Sequence, residues 1–506
     1  MLATVQSCAL VGIEAHPVRV EVDIAAGLPQ IATVGLPDHV VRESKDRVRS
    51  ALRNSGFEIP PRRITVNLAP AQLRKEGAAY DLPIALAMIA ASGHSLSGHL
   101  EDVVVAGELA LDGTVRPIRG VLSIAAAARA AGYPRVLVPA TNAAEAALVP
   151  TLAVIGVRSL AEAVAVLSGA HPPRPLPPQA APLPAADTID FADVRGQQHV
   201  KRALEVAAAG GHNVILIGPP GAGKTMLARR LTTILPTLTF EEAIEVTKIY
   251  STAGLLGDRA MVALRPFRAP HHTVSAGGIF GGGSTAHPGE LALAHKGILF
   301  LDELPEFRRD VLEGLRQPLE ERRVTLARAG WRVTYPAHVM LVAAMNPCCC
   351  GFQGDPTHVC RCTPAQLTHY RARLSGPLLD RIDLHLDVAP VRYRELASEG
   401  GGEPSAAIRA RVVAARERQH MRLAPRHLTC NAEMGSRELR EHARPDTAGA
   451  ALLERVMTRL GLSARAYTRV LKVARTIADL AGVEQIGAAH VAEAIQYRGL
   501  DRGRQA

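Results

Sequence analysis

The stretch NVILIGPPGAGKT constrains the fold more than any other part of this 506-residue chain. Asn213 to Ile217 reads as a buried apolar strand and MLARRLTTIL as an amphipathic helix, with Gly218-Pro219-Pro220-Gly221-Ala222-Gly223-Lys224-Thr225 between them. Glycines let backbone N–H groups curl round an anion, and the helix N-terminus adds positive potential, so the segment suits the phosphates of a nucleotide. Lys224 is expected to reach the β- and γ-phosphates and Thr225 to ligate Mg²⁺. ATP and Mg²⁺ are therefore the expected cofactors.

The other half of such a site is an apolar strand ending in acids, and GILFLDELPEF supplies it about eighty residues on. Asp302 is expected to hold the Mg²⁺, and Glu303 to orient and deprotonate an attacking water. A kinase would need a hydroxyl-bearing acceptor there, so hydrolysis is the expected reaction. A further strand, HVMLVAAMN, ends in Asn346, whose amide could hydrogen-bond both the water and the γ-phosphate. LSGPLLDRIDLHLDV then places Arg381 between a short helix and a strand, where it could reach a γ-phosphate held by the neighbouring subunit. A solvated Arg381 paired with Asp380 or Asp383 is the plainer reading.

The chain is too long for one compact core, so two to four domains are expected. Apolar content of 47% with 3% aromatic describes an alanine- and leucine-rich globular protein. Dense proline in HPPRPLPPQAAPLPAA, residues 171–186, marks a semi-extended linker. Before it, in residues 1–170, VRVEVDI alternates like a half-buried strand, HVVRESKDRVRSALRNSG has helical spacing, and GELALDGTVRPI reads as a hairpin turning at Asp112-Gly113. Residues 187–396 alternate strands and helices as a parallel α/β sheet does. ASEGGGEPSAA, residues 397–407, opens a helical tail over 408–506. The expected class is α/β and multidomain.

The net charge of +10 and pI near 9.5 favour a polyanionic partner. From residue 391 onward there are 20 Lys plus Arg against 13 Asp plus Glu, which makes the C-terminal part the expected polyanion-facing surface. MLATVQSCAL lacks the pattern of a signal peptide, and no segment approaches about 18 uninterrupted apolar residues. A cytoplasmic protein without a membrane partner is expected.

The phosphate loop, LFLDE, Asn346, LLDRID and GLSARAYTRVLKVARTIADL together resemble AAA+ ATPases of the magnesium-chelatase-like clade. FRAPHHTVSAGGIFGGG, PGELALAHKGILFLDELPEF, NPCCCG, GDPTHVCRC and HVAEAIQYRGLDR resemble the ComM/YifB family, across essentially the whole chain. The resemblance implies that Arg465, in an S-x-R motif, contacts nucleotide from a helical lid. It implies a hexameric ring that hydrolyses ATP between subunits. It also implies movement of branched or single-stranded DNA, by branch migration or helicase action, in recombination and natural transformation, with recombination proteins as further partners. The other reading is a magnesium-chelatase-type or protein-remodelling ATPase that works through partner proteins.

APAQLRKEGAAYDLPIALAMIAASG resembles the proteolytic domain of the Lon protease, in which K-D-G-P-S-A-G carries the catalytic serine. The matching position here is Ala79, and Leu122 stands where the catalytic lysine should be. A Ser–Lys mechanism needs both a nucleophile and a base. The domain therefore reads as a degenerate protease fold, serving as scaffold or DNA-binding collar.

Five of the seven cysteines fall in NPCCCGFQGDPTHVCRC. Cys348, Cys350, Cys360 and Cys362 form C-x-C…C-x-C, a set that could surround a tetrahedral structural Zn²⁺. Free thiols or a disulfide are the alternatives. Cys349 occupies a place where the family pattern usually has proline, and His358 could replace one ligand. Cys8 and Cys430 read as ordinary buried thiols. His271 and His272 point to different sides of an extended chain, so a shared metal is awkward, and a substrate-facing or interface loop is the favoured reading. Gly277 to Ser284 and RRVTLARAGWRVTYPAH are the two insertions expected to enter a central pore. On the second, Arg328, Trp331 and Arg332 could grip a phosphate backbone and stack on a base; a solvated hairpin with one anchoring tryptophan is the equal alternative.

Overall fold

The computed structural model describes residues 1–96, 100–172, 189–283, 286–328, 331–355, 358–391, 401–461 and 463–499. Most of the proline-rich linker (173–186), residues 397–400 of the second break, Ser284, and the side chains of Arg328 and Trp331 lie outside the described residues.

The N-terminal part carries a seven-stranded mixed sheet in the order Gln30–Val34, Arg63–Ala69, Glu14–Ala25, Leu2–Val11, Val103–Val105, Arg135–Pro139, Ala153–Val157. Val18, Val20, Val22 and Ile24 are buried while Arg19 and Asp23 face solvent, the period-two pattern that the sequence predicts. His39–Asn54 is helical, its first turn capped by Asp38, which accepts from the Val41 N–H at 2.8 Å. Asp112 and Gly113 do turn a short hairpin: Gly113 has φ +88° and the Asp112 carboxylate accepts from the Thr114 N–H at 2.9 Å.

The central part is a five-stranded, all-parallel sheet in the order Phe267–Arg268, Ile298–Leu301, Met340–Met345, Val214–Ile217, Leu384–Asp387. Both faces of the three middle strands are covered, which is why they read as unbroken apolar runs. Val214, Leu216, Phe300 and Val342 face one core, with Leu204, Leu227 and Leu231 from the helices Gln198–Gly210 and Lys224–Ile234. Ile215, Leu301, Leu341 and Ala343 face the other, with Val311, Leu312 and Leu315.

The C-terminal part is helical, with Ser405–Leu423, Thr447–Leu460, Ala464–Ala481 and Ala488–Gln496. Its apolar residues Val470, Leu471 and Ile477 belong to the same core as Val214 and Leu227, so these helices are built onto the sheet. Asp383, one residue ahead of the edge strand Leu384–Asp387, joins them. It pairs with Arg469 at 2.9 Å and with His212 Nδ1 at 3.0 Å, while His212 Nε2 meets the Thr476 hydroxyl at 2.8 Å. Burial alone would raise the Asp383 pKa, but Arg469, His212 and Lys472 outweigh it and hold the carboxyl well below the usual range.

The N-terminal part docks on the central part through the helix Phe240–Ala253, which packs against Val121–Ala130. The buried Glu145 carboxylate accepts from the Leu122 N–H at 2.8 Å and from the Ser251 hydroxyl across the junction. A hairpin, Arg323–Arg328 with Trp331–Pro336, places Val333 and Tyr335 in a core with Val11 and Ile13. A Cβ at Gly12, where φ is +66°, would lie 2.5 Å from Val333 Cγ1, so close docking requires glycine there.

Asp383→Asn is expected to remove about 3 kcal/mol of stability by leaving Arg469 without its buried partner. A carboxylate held below its unfolded pKa contributes stability above about pH 4 and loses it as pH falls through its folded value. Denaturant unfolding of the two proteins should therefore differ at neutral pH and converge only in strong acid.

Candidate functional site

Parallel pairing brings the three strand ends to one edge. Ile217 is level with Met345 and Leu301 with Ala343, so the phosphate loop, Asp302–Glu303 and Asn346 emerge side by side. Gly218 lies against the segment just after the last strand, where a Cβ would lie 2.2 Å from the Val388 carbonyl oxygen. Gly223, with φ +85°, turns the chain into the helix Lys224–Ile234, and Pro219, Pro220, Gly221 and Ala222 form the loop between.

Lys224 is only 9% exposed. Its ammonium donates to Gly218 O at 2.7 Å, Pro219 O at 3.0 Å and Asn346 Oδ1 at 3.2 Å. Desolvation lowers its pKa, and the charges of Asp302 and Glu303 oppose that shift. The Thr225 hydroxyl donates to Asp302 Oδ2 at 2.8 Å, so the two residues expected to hold Mg²⁺ already touch. Asp302 Oδ1 accepts from the Glu303 N–H at 2.9 Å, and Glu303 takes a left-handed conformation, φ +52°, as the chain leaves the strand. A hydroxyl, two carboxylates, an ammonium and an amide thus converge on the mouth of the loop, a set suited to a metal-bound nucleotide and a water.

Gln197 is a member that sequence reasoning missed. Its side-chain amide donates to Ala222 O at 2.9 Å and to Ala389 O at 3.0 Å, tying the phosphate loop to the segment after the last strand. The signal available was the glycine–glutamine pair just before a helical run.

Arg381 and Arg465 stand apart from that cluster. The Arg381 side chain is 9% exposed, donating to Arg316 O at 3.0 Å and Pro377 O at 2.6 Å and pairing with Glu320. It is therefore folded onto its own subunit and not held out towards a neighbour, and it pairs with neither Asp380 nor Asp383. Those aspartates pair instead with the helix Ala464–Ala481: Arg465, 64% exposed, lies 3.7 Å from Asp380, and Arg469, one helical turn on, holds Asp383.

The cysteine insert packs on the same loop. A Cβ at Gly351 would lie 2.8 Å from Pro220 Cδ. The sulfurs of Cys348, Cys350, Cys360 and Cys362 all fall within 4.8 Å of one another, a spacing compatible with four thiolates round one tetrahedral ion. Backbone hydrogen bonds from Phe352 and Arg361 lower the Cys350 thiol to about 6. His358 is instead set against Asp355 at 3.4 Å, and Cys349, exposed, lies 3.2 Å from Cys362. Cys8 and Cys430 are buried, as expected.

Three expectations change. The rings of His271 and His272 do not diverge: the chain turns there, with the Val274 N–H bonded to His271 O at 3.0 Å, and the ring centroids are 4.1 Å apart. His272 Nδ1 sits 3.4 Å from Glu303 Oε2. Secondly, the hairpin at 323–336 commits Val333 and Tyr335 to the N-terminal docking surface, leaving Arg332 exposed nearer its tip. Thirdly, part of the C-terminal basic charge is paired within the chain: Arg422 and Arg475 both bind Asp479, Arg426 binds Glu438 and Glu441, and Arg411 binds Glu205 and Glu403.

In the N-terminal part Ala79 lines a cavity of about 370 Å³ with Glu76, Glu108, Arg119 and Thr252. Leu122 is buried, the Ser123 hydroxyl donates to Ile13 O at 2.6 Å, and the buried Lys75 ammonium donates to the carbonyls of Gly35 and Pro70. Nearby hydroxyl and amine groups are therefore occupied structurally.

Residues 190–396 match the family described as magnesium chelatase, subunit ChlI. Residues 20–142 match that described as subunit ChlI of Mg-chelatase, and 402–498 the C-terminal domain of subunit ChlI. The chain is 47% identical to the YifB protein of Salmonella typhimurium over 99% of its own length and 98% of the relative's. It is 44% identical to the competence protein ComM of Haemophilus influenzae over 99% and 98%. A shorter match, 30% identical over 28% of this chain and 26% of the other, is to Lon protease 2 of Bacillus subtilis.

Lys224→Ala is expected to weaken nucleotide binding about ten- to a hundredfold, the worth of a charge-assisted hydrogen bond. Titration with a fluorescent ATP analogue checks it.

Proposed function

We propose a DNA-moving motor, and the premise is the family: the chain belongs to the ComM/YifB family of magnesium-chelatase-like AAA+ ATPases. As an AAA+ ATPase it uses ATP and Mg²⁺. In our reading Lys224 and the loop backbone hold the β- and γ-phosphates, and Thr225 and Asp302 hold Mg²⁺. Glu303 takes the proton of the attacking water, which Asn346 orients. The observation that carries this assignment is the contact of Thr225 with Asp302 at 2.8 Å beside that of Lys224 with Asn346 at 3.2 Å.

The ring, most naturally a hexamer, would complete the site from the next subunit. Arg381 is the candidate finger, and in that role it must leave Glu320 and the carbonyls of Arg316 and Pro377. Arg465 would exchange Asp380 for nucleotide when the lid closes. The substrate we infer is branched or single-stranded DNA, a reading supported by the relative named as a competence protein and by the net charge of +10. The degenerate Lon-like domain acts as a collar on this motor and has no protease role, since the two positions of the dyad are Ala79 and Leu122.

Cys348, Cys350, Cys360 and Cys362 would hold one structural Zn²⁺. Four thiolates leave no open position, so the ion would brace the insert against Pro220 and Asn346 and take no part in chemistry.

Two measurements test this. On a synthetic four-way junction the wild type should show DNA-stimulated ATP hydrolysis and strand exchange, while Glu303→Gln binds ATP and loses both by two orders of magnitude or more, roughly what a general base contributes. Hydrolysis indifferent to DNA would turn the reading towards protein remodelling. Metal analysis should find close to one zinc per chain, lost in Cys360→Ser; protein purified without chelators that holds none would end the zinc assignment.

A further inference from the structure

We propose that Cys349 and Cys362 are an oxidisable thiol pair, which a hydroperoxide converts to a disulfide, and that this bond withdraws Cys362 from the zinc set. The second half rests on the reading of Cys362 as a zinc ligand.

The five thiols of the insert divide by contact. The sulfur of Cys348 lies 3.3 Å from that of Cys350 and 3.8 Å from that of Cys360, and Cys350 and Cys360 are 3.6 Å apart. Cys362 completes the tetrad within 4.8 Å, yet its sulfur also lies 3.2 Å from that of Cys349. Four thiolates fill a tetrahedral ion, so Cys349 is a fifth thiol with no place on the metal. It is also the exposed one. Cys348 is fully buried, its sulfur accepting the Gln353 N–H at 3.3 Å, and Cys350, Cys360 and Cys362 are half-buried. A cavity of about 430 Å³ adjoins Cys349, lined also by Gln366, His369, Tyr370 and Arg373. A small peroxide entering there meets Cys349 first, and exposure helps decide which thiol is oxidised.

The chemistry balances with one molecule of hydrogen peroxide. The Cys349 sulfur attacks a peroxide oxygen, so that an S–O bond forms, the O–O bond breaks and one water leaves. The Cys362 thiolate then displaces the hydroxyl from that sulfenic acid, forming the S–S bond and releasing a hydroxide that solvent protonates to a second water. The two sulfurs together lose two electrons, and the peroxide gains them. A disulfide is about 2.05 Å long, so the two sulfurs approach by only about 1 Å. Metal ligation needs the thiolate, which a sulfur in a disulfide no longer is.

The insert touches the ATP site on two sides. Gly351 packs on Pro220 of the phosphate loop. Cys362 adjoins Thr363, which caps the helix Pro364–Ala372, and the Tyr370 hydroxyl of that helix donates to Asn346 O at 3.2 Å. The cysteine set lies between these two contacts, so its loss of an ion bears on both.

The test treats full-length, zinc-loaded protein with hydrogen peroxide, reading zinc release with a chromogenic chelator and linkage by tryptic mass mapping. Cleavage after Arg361 leaves Cys362 on one peptide and Cys348, Cys349, Cys350 and Cys360 on another. We expect the wild type to yield a cross-linked pair of these peptides, two hydrogens lighter, and to release zinc, with both changes reversed by dithiothreitol and added zinc. Cys349→Ala should hold zinc as the wild type does before treatment, yield no cross-linked pair, and release zinc about tenfold more slowly under the same peroxide. ATP turnover should fall in the oxidised wild type and not in the treated variant. A disulfide confined to the four-cysteine peptide, or zinc lost as fast from Cys349→Ala as from the wild type, would overturn the proposal. Turnover untouched by the disulfide would remove its link to the ATP site. Protein that holds no zinc before peroxide would remove the zinc reading alone, and the cross-linked peptides would still decide the thiol pair.

Discussion

Parallel pairing of Val214–Ile217 between Met340–Met345 and Leu384–Asp387 is the constraint from which the rest of the ATPase part follows. Because the strands run the same way in matched register, the loops that follow them emerge at one edge. A one-residue slip would exchange Ile215 and Leu216 between two different cores, so burial on both faces fixes the register strongly. The convergence of Thr225, Asp302, Glu303 and Asn346 is a consequence of that register.

A sheet buried on both faces needs helices on both, and the C-terminal helices supply part of one. Val470, Leu471 and Ile477 pack into the core that also holds Val214 and Leu227. Buried polar contacts reinforce the join, with Asp383 held by Arg469 and His212. Asp380 meets Arg465 one helical turn away on the same lid helix. The aspartates on either side of Arg381 are therefore both tied to that C-terminal helix, which links it directly to the segment bearing Arg381. The N-terminal part is tied in at Glu145 and Ser251, and at Val333 and Tyr335, which connects it to the helix Phe240–Ala253 and to the hairpin at 323–336.

Much of this could be read from the chain. Local backbone demands write themselves into short stretches: glycines where φ is positive, apolar alternation where one face is buried, continuous apolar runs where both are. The phosphate loop, the acids after Leu301, Asn346 and the hairpin at Asp112–Gly113 were legible for that reason. Charge was less so. The arginines of the C-terminal helices look like a nucleic-acid surface in a count, yet Arg422, Arg426 and Arg475 meet carboxylates inside their own fold.

The sequence by itself determined the motif order, the α/β class and the residues we assign to a nucleotide and its metal, because each depends on neighbours only a few positions away. Tertiary structure alone decided which long-range partners those residues acquire. It turned His272 onto Glu303 and folded Arg381 back onto Glu320. It joined Gln197 to Ala222 and gathered four sulfurs from either side of residues 351–359 into one cluster. Such contacts depend on where separate segments meet in space, and side-chain direction at those meetings is set by packing that no local pattern encodes.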